Sequence, residues 1–250
     1  MALYMIGVGL NDEKDISIRG LEAVKKCDKI FLEGYTSRLD CSKHDLEKFY
    51  SKKIILADRD MVEKNSDKIL GSASDNNVAF LVVGDVFSAT THIDLYMRAK
   101  KRGIDIKVIH NASILTAVGV VGLELYKYGK TTSMPFFEKS FRPETPYEVI
   151  KNNKNLGLHT LVLLDIKKDR LMTINQAIEQ LLTIEEKRKE CIFTTDLKIV
   201  GCARLGAPDF KIKYGTFSDL FKEDFGPPLH CIIIPGKLHF VEEEMLAQWQ

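Results

Sequence analysis

One continuous apolar run, Val78–Val83, limits the fold of this chain more than any other segment. It has no alternating polar residue, which is typical of a parallel strand covered on both faces. A helix-periodic segment follows it, from about Thr90 to Arg102, and then a β-branched run, Asp105–Ile109. A strand, a helix and a second strand in this order predict a parallel sheet with helices on its faces.

The rest of the first half repeats this alternation of short apolar runs and helix-periodic segments. We predict strands at Ala2–Val8, Lys29–Glu33 and Lys53–Ala57, a helix that ends near Cys27, and a short helix over His44–Tyr50. The first half is therefore expected to be an α/β domain with a mostly parallel sheet.

The second half has a different pattern. Helices are predicted over Glu144–Asn153 and Ile174–Arg188, with a strand at Thr160–Leu164 between them. Three further strands follow with few residues between them, which favours antiparallel or mixed pairing: Leu197–Ala203, Phe210–Lys213 and Leu229–Ile234. We therefore predict two α/β domains, residues 1–112 and 113–250, the second with a mixed sheet.

The charge balance excludes one broad class of function. Lysine and arginine together number 36 and aspartate and glutamate 35, which gives a formal net charge of +1. Proteins that bind nucleic acid usually carry a basic surplus, so no nucleic-acid partner is expected. The chain has neither a signal-peptide pattern nor an apolar segment of the roughly 20 residues that a membrane helix needs, so we expect a cytoplasmic protein without membrane contact.

Common catalytic and metal-binding motifs are missing from the sequence. The histidines lack H-x-x-x-H and H-E-x-x-H spacing, and there is no G-x-S-x-G segment. The five cysteines are widely spaced without a C-x-x-C pair, so we expect reduced thiols, mostly in the core. The acidic run Glu242–Glu244 is predicted to be the solvated face of a helix. No metal site and no nucleophile are expected.

Several loops after predicted strands are candidates for ligand binding. Gly7–Asp12 follows the first strand but lacks the third glycine of a dinucleotide-binding motif, because Asp12 stands there. Its glycines let a ligand approach the backbone, although a tight turn explains them equally well. After Val83, Asp85 can accept hydrogen bonds from a ribose or an amino group, or it can help to cap the next helix.

The other strand-end loops have simple structural interpretations of their own. Ser113, after the strand ending at Ile109, is an obvious helix N-cap. The segment Leu161–Lys167 is most simply a core strand followed by exposed residues. His230 precedes a strand of isoleucines and is expected to be a partly buried histidine with its hydrogen bonds satisfied.

Taken in order, these loops resemble the diphthine synthase family, whose members are methyltransferases of the tetrapyrrole methylase fold that use S-adenosylmethionine. The matching segments extend over nearly the whole chain. They are Gly7–Leu10, Asp15–Ser17, Leu32–Ser37, Gly84–Asp85, Ala89–His92, His110–Ile114, Leu163–Lys167, Ala203–Gly206, Pro228–His230 and Pro235–His239.

The resemblance implies a cofactor cleft between the two domains. The implied contacts are Leu10, Asp85, Ser88, Ser113, Ile114, Leu164, Leu205 and His230. The sequence departs from the usual family pattern at Val86 and Phe240, where proline is common, at Asn11, where glycine is usual, and at Ser88, where an apolar residue is frequent. None of these departures removes a charge that the site needs.

The resemblance also implies a reaction: successive N-methylation of a modified histidine on translation elongation factor 2, a step of diphthamide biosynthesis that gives diphthine. Eukaryotic members also methylate the carboxylate of that side chain, giving diphthine methyl ester. S-adenosylhomocysteine would be the other product, and a homodimer is implied. Because a sulfonium methyl is already activated, the protein mainly has to orient an unprotonated amine, and no catalytic base is assigned. The alternatives are a methyltransferase acting on a porphyrin precursor and a non-catalytic scaffold that binds a nucleotide-like ligand.

Overall fold

The computed structural model describes residues 1–194 and 196–250, and these form two compact units, Met1–Ala117 and Val118–Gln250. Each unit has its own five-stranded sheet within the described residues, flanked by helices. The predicted fold class is therefore confirmed: the first sheet is parallel and the second is mixed. The cofactor cleft expected between the domains stays a prediction.

The sheet of the first unit has the strand order β3-β2-β4-β1-β5. Its strands are β1 (Ala2–Gly7), β2 (Lys29–Glu33), β3 (Ile54–Ala57), β4 (Val78–Val82) and β5 (Asp105–Ile109). Its helices are α1 (Ile18–Lys26), α2 (Lys43–Tyr50), α3 (Arg59–Glu63), α4 (Asp67–Asp75), α5 (Ile93–Lys101) and α6 (Ile114–Ala117). Because all the strands are parallel, their carboxyl ends share one edge.

The central position of β4 explains its uninterrupted apolar sequence. All of its side chains are completely buried, and it pairs with β1 on one side and β2 on the other. The helices α3 and α4 were not predicted. Helix α3 has only five residues, and α4, although nine residues long, contains Gly71, a poor helix former. Asp58 caps α3 by accepting a hydrogen bond from the Met61 backbone at 2.8 Å.

The sheet of the second unit has the order β6-β7-β10-β8-β9 among the described residues. Its strands are β6 (Thr132–Met134), β7 (Thr160–Leu164), β8 (Lys198–Ala203), β9 (Lys211–Thr216) and β10 (His230–Ile234). Its helices are α7 (Thr145–Asn155), α8 (Ile174–Arg188), α9 (Phe217–Lys222) and α10 (Phe240–Ala247), and two 3-10 turns cover Val118–Val121 and Leu125–Lys127. Sequence reasoning missed β6 and α9, which are short.

The longest helix of the second unit provides much of its core. Ile174, Ile178 and Leu181 of α8 are completely buried at helical spacing. Each such side chain contributes about 1.5–3 kcal/mol relative to an exposed position. Thr173 begins the helix with a capping box shared with Gln176.

The acidic run on α10 differs in part from the prediction. Glu243 and Glu244 are exposed, as expected of a solvated face, but Glu242 is only 1% exposed. It is stabilised there by four hydrogen-bond donors, from Lys127, His159 and the backbones of Glu124 and His239. A charged run in a sequence does not reveal which of its members has partners inside the fold.

All five cysteines lie in the described part of the chain and are free, with Cys27, Cys202 and Cys231 buried. None of the described helices has the length and apolar character required to cross a membrane.

Candidate functional site

Two glycine turns meet at the carboxyl edge of the first sheet. Gly9, after β1, and Gly84, after β4, exchange backbone hydrogen bonds: Gly84 N–H to Gly9 O at 2.6 Å and Gly9 N–H to Gly84 O at 3.3 Å. Their φ angles are 84° and 79°, values that residues other than glycine rarely adopt. The two turns are therefore joined directly by their backbones.

A third loop joins them at the same point. A Cβ atom built on Gly84 would lie 3.9 Å from Leu10 Cδ2, from Ala112 O and from Ser113 Cα. Leu10 follows β1, whereas Ala112 and Ser113 follow β5. The structure thus brings together the three strand-end loops that carry the predicted contacts of the first unit.

Gly7, the last residue of β1, makes this meeting possible. A Cβ at Gly7 would be 2.6 Å from Gly84 O, 2.9 Å from Asn111 Cβ and 3.1 Å from Asp85 Cα. Strand β1 lies between β4 and β5 in the sheet. The loops after β4 and β5 can therefore contact each other across the end of β1 only because Gly7 has no side chain.

Two polar residues that sequence reasoning did not select hold these loops. Asp15 accepts hydrogen bonds from the backbones of Leu10 (3.0 Å) and Asn11 (2.7 Å). Asn111 Nδ2 donates to the backbone oxygens of Gly7 and Asp15, both at 3.0 Å. The sequence signal for Asp15 is an aspartate shortly after a glycine turn. Asn111 has no such signal, because its contacts with Gly7 and Asp15 depend on the position of β5 beside β1 in the sheet.

Asp85 is buried at the centre of the loop cluster. Its Oδ1 accepts from His110 Nδ1 at 2.9 Å and from the Asn111 backbone at 3.0 Å. Its Oδ2 accepts two longer bonds, from the Phe87 backbone at 3.3 Å and Ser88 Oγ at 3.4 Å. Oδ2 is therefore better able than Oδ1 to accept a further hydrogen bond from a ligand.

The hydrogen bonds keep Asp85 ionised. Burial is the largest influence and raises the pKa of Asp85, but the bonds from the Asn111 backbone, from His110 and from the Phe87 backbone together hold it below its usual value. The alternative of a helix cap does not describe this carboxylate, because α5 begins after His92, at Ile93. Asp85 organises the loop before that helix.

Ser113 directly precedes α6, in agreement with a helix start. Its backbone oxygen accepts from the Thr116 and Ala117 backbones at 3.0 and 2.8 Å, and its backbone N–H donates to Thr116 Oγ1 at 3.3 Å. Ser113 is buried and Ile114 is half-buried. Both interpretations of this position are compatible with the structure.

The predicted residues of the second unit also share one sheet edge. Cys231 of β10 pairs with Leu163 of β7, and His230 pairs with Ala203 of β8. This register places Leu164, at the end of β7, and His230, at the start of β10, at the edge where β8 ends before Leu205. All three side chains are buried.

His230 is buried with both ring nitrogens bonded, as the sequence predicts. Its Nε2 donates to the Pro227 backbone oxygen at 3.2 Å, and its Nδ1 accepts from the Ile174 backbone at 3.4 Å. Burial lowers the pKa of His230, so the ring is neutral at pH 7.

Arg204 fixes the loops that carry Leu205 and His230, a role that the sequence did not reveal. Its guanidinium donates to the backbone oxygens of Phe225 (2.8 Å) and Pro227 (2.6 Å), and to Asp209 Oδ2 at 2.7 Å. Its backbone N–H donates to Leu229 O at 2.8 Å. One arginine thus connects two strand-end loops.

The chemistry of the predicted contacts fits a cationic ligand with a large apolar part. Within the predicted set, four residues are leucine or isoleucine, one is an ionised aspartate and none is a lysine or an arginine. Within residues 1–194 and 196–250, no cluster of His, Cys, Asp and Glu side chains that could hold a metal ion is found.

The chain is similar to known methylases along most of its length. Residues 2–220 match the family model of the tetrapyrrole (corrin/porphyrin) methylases. The diphthine methyl ester synthase of Dictyostelium discoideum is 51% identical, over 98% of this chain and 96% of its own length. That of Saccharomyces cerevisiae is 48% identical, over 99% of this chain and 89% of its own length.

A solved structure described as a diphthine synthase superimposes with a TM-score of 0.92, at 37% identity, over 100% of this chain and 96% of its own. The resemblance drawn from the sequence is thereby confirmed along the whole chain. The chain belongs to the tetrapyrrole methylase family, and it is a methyltransferase.

Proposed function

We propose that this chain uses S-adenosylmethionine to methylate the modified histidine of translation elongation factor 2, first on nitrogen and then on the carboxylate, giving diphthine methyl ester. The observation that carries the proposal is the full-length match to relatives named diphthine methyl ester synthase, at 51% and 48% identity. S-adenosylhomocysteine is the other product.

We assign the cofactor to the predicted residues of both units. In the first unit, Leu10, Ser113 and Ile114 provide the apolar and backbone surface, and Asp85 with Ser88 provides the polar groups. In the second unit, Leu164, Leu205 and the neutral His230 provide a further apolar and polar surface. If both sets bind one molecule, substitutions in either unit weaken the affinity for the same ligand.

The main task of the chain in this reaction is orientation. Bound S-adenosylmethionine would supply a methyl group already activated by the positive charge of its sulfonium. The loops around Gly84 are fixed by Asp15, Asn111 and Asp85 before any ligand binds, and such preorganisation can contribute about 7–11 kcal/mol in favourable cases. Ionised Asp85 also stabilises positive charge close to these loops.

We propose a cytoplasmic homodimer, with elongation factor 2 as a transient protein partner. A formal net charge of +1 suits a protein that meets one folded substrate and does not need to bind a polyanion.

The test is a transfer assay with labelled S-adenosylmethionine and elongation factor 2 that carries the unmethylated modified histidine. We expect label on the factor, with mass spectrometry showing methyl groups on the amine and one on the carboxylate. A factor whose target histidine is replaced serves as the matched control and should remain unlabelled.

Other outcomes of the same assay would overturn the proposal. Labelling of a porphyrin precursor, with none on the factor, would assign the chain to the other substrate class in the family description. Cofactor binding in calorimetry without transfer to any acceptor would favour a non-catalytic scaffold.

A further inference from the structure

We propose that His110 is the proton acceptor for N-methylation: its Nε2 takes a proton from the substrate ammonium before each methyl transfer. This inference rests on the proposed function, and it names a group for the one step that orientation alone does not supply. A primary aliphatic amine is mostly protonated near pH 7, and an ammonium has no lone pair with which to attack a methyl group.

The contact with Asp85 defines the protonation of the His110 ring. Nδ1 lies 2.9 Å from Asp85 Oδ1, and an ionised carboxylate can only accept a hydrogen bond. Nδ1 therefore carries the proton in the neutral ring, and Nε2 has the free lone pair. In the part of the chain that the structure describes, Nε2 makes no hydrogen bond, and the side chain is 69% exposed.

The ring and its carboxylate partner each have one further contact. Asp85 Oδ1 also accepts from the Asn111 backbone, so the carboxylate cannot rotate away without breaking both bonds. The Phe87 ring contacts His110 edge-on, with centroids 6.4 Å apart. His110 follows β5 directly, at the sheet edge that carries the predicted cofactor contacts Leu10, Asp85 and Ser113.

Few charged groups surround this histidine in the first unit. Asp85 comes from the loop after β4. The Asp15 carboxylate, in the loop after β1, accepts from the Leu10 and Asn11 backbones, and only the backbone oxygen of Asp15 contacts Asn111. Lys107 on β5 lies over the Tyr4 ring at 5.3 Å. The charged group in contact with the ring is therefore the Asp85 carboxylate, which accepts the Nδ1–H hydrogen bond both before and after Nε2 takes a proton.

The two other histidines at the strand-end loops do not fit this role. His92 also has an unpartnered Nε2, but the residue is 1% exposed and that nitrogen is inaccessible. Both nitrogens of His230 are bonded to the backbone. Of these three histidines, His110 alone combines an orienting carboxylate with an accessible lone pair.

The proton balance of the proposed step is complete. The ammonium N–H bond breaks and its proton bonds to Nε2, giving an imidazolium that donates through Nδ1–H to Asp85. The free amine then forms a bond to the methyl carbon as the carbon–sulfur bond breaks, and sulfur keeps the electron pair. The exposed imidazolium returns its proton to water, and the cycle repeats until the nitrogen is quaternary.

Ester formation provides the discriminating test. The substrate carboxylate is already ionised at pH 7, so its methylation needs no proton acceptor. Replacing His110 should therefore slow N-methylation selectively. A group that merely shapes the site would affect both reactions.

We would compare His110→Gln with His44→Gln, an exposed histidine on α2. Each is assayed with factor bearing the free amine and with factor already trimethylated on nitrogen. We expect His110→Gln to slow N-methyl transfer by about 10²–10⁴-fold, the usual contribution of general base catalysis. Ester formation should stay unchanged, and N-methylation by the variant should recover as pH rises towards the amine pKa. His44→Gln should match the parent in every assay.

The possible outcomes separate this inference from the proposed function. Equal loss of both reactions, or no loss of N-methylation, would overturn the role of His110. No transfer by the parent enzyme to either acceptor would instead overturn the proposed function.

A readout that needs no cofactor tests the same geometry. Nitrogen NMR of the free protein should show His110 protonated on Nδ1 when it is neutral, and Asp85→Ala should remove that preference. Protonation of Nε2 in the neutral ring of the parent protein would contradict the proposal.

Discussion

His159 Nε2 donates a 2.9 Å hydrogen bond to Glu242 Oε1, and both side chains are almost completely buried in the second unit. His159 Nδ1 in turn accepts from the Gly236 backbone at 2.9 Å, which defines a neutral ring protonated on Nε2. Glu242 also binds Lys127. Together these bonds attach α10 to the start of β7 and the end of β10, away from the edge with His230.

Glu242→Gln should destabilise the protein by about 3–5 kcal/mol, the usual cost of removing one partner from a buried ion pair. Lys127 would lose the negative charge that it pairs with. In addition, one of the four hydrogen-bond donors would face the amide N–H of the new glutamine, which cannot accept a hydrogen bond. Urea unfolding would measure the change. Glu243→Gln, on the exposed neighbour in the same helix, is the control and should have little effect; equal losses would show that Glu242 is not the anchor.

The same cluster predicts a loss of stability in acid. The pKa of Glu242 is lowered from 4.5 to about 2: burial, the largest influence, raises it, but bonds from Lys127 and from the Glu124 and His239 backbones outweigh this. A carboxyl whose pKa is lower in the folded state stabilises the protein above its unfolded pKa. That stability should disappear as the pH falls from about 4.5 to about 2.

His159 adds a second contribution in the same direction. Burial lowers its pKa from 6.5, although Glu242 opposes this, so stability should begin to fall as the pH drops below 6.5. Free energies of unfolding measured from pH 7 to pH 3 in the parent and in Glu242→Gln would test both statements. A pH dependence that is identical in the two proteins would contradict the assignment to Glu242.

Two glycines with similar backbone angles should respond very differently to alanine. Gly9→Ala places a Cβ 2.3 Å from Asp15 Cβ at a φ of 84°, whereas Gly103→Ala at a φ of 70° meets nothing within 4 Å. Gly103→Ala should therefore cost only the left-handed strain, about 1–2 kcal/mol. Gly9→Ala should cost more and should also abolish cofactor binding, as measured by calorimetry. If Gly9→Ala bound the cofactor normally, the loop after β1 would not be part of the site.

Asp85→Ala should weaken S-adenosylmethionine binding by roughly 10–100-fold, equivalent to the about 1.5–3 kcal/mol of a hydrogen bond to a charged group. Calorimetry measures the change. Ser88→Ala, which removes only a 3.4 Å bond to the same carboxylate, is the matched control and should have a smaller effect. If Asp85→Ala bound S-adenosylmethionine with unchanged affinity, Asp85 would not be a cofactor contact, and its remaining role would be to orient His110.

Much of the fold could be predicted from local sequence patterns. The apolar run of β4 and the alternation around it specify a parallel sheet, because a strand covered on both faces has no polar positions. The close strands after Arg188 predicted the mixed second sheet. The short elements α3 and β6 could not be predicted, since a few buried positions give no recognisable period. Helix α4 is longer, but Gly71 in its middle is typical of a loop.

The cofactor contacts stay a prediction, but the structure shows how the loops that carry them are arranged in the first unit. Resemblance located Leu10, Asp85 and Ser113, and the structure places their loops together. The bond between Asp85 and His110 could not be predicted, because it joins loops after β4 and β5, which are not adjacent in the sheet. The burial of Glu242 depends on tertiary partners in the same way.

Gly7 has a consequence that reaches beyond its own strand. It has no side chain, and the space beside its Cα allows Asp85 and Asn111 to approach closely enough for the Asn111 backbone to donate to Asp85 Oδ1. A single methyl group there would push the carboxylate and the histidine apart while leaving both side chains intact. The substitution would impair the site without removing any reactive group, because the added methyl fills the space that the two loops need.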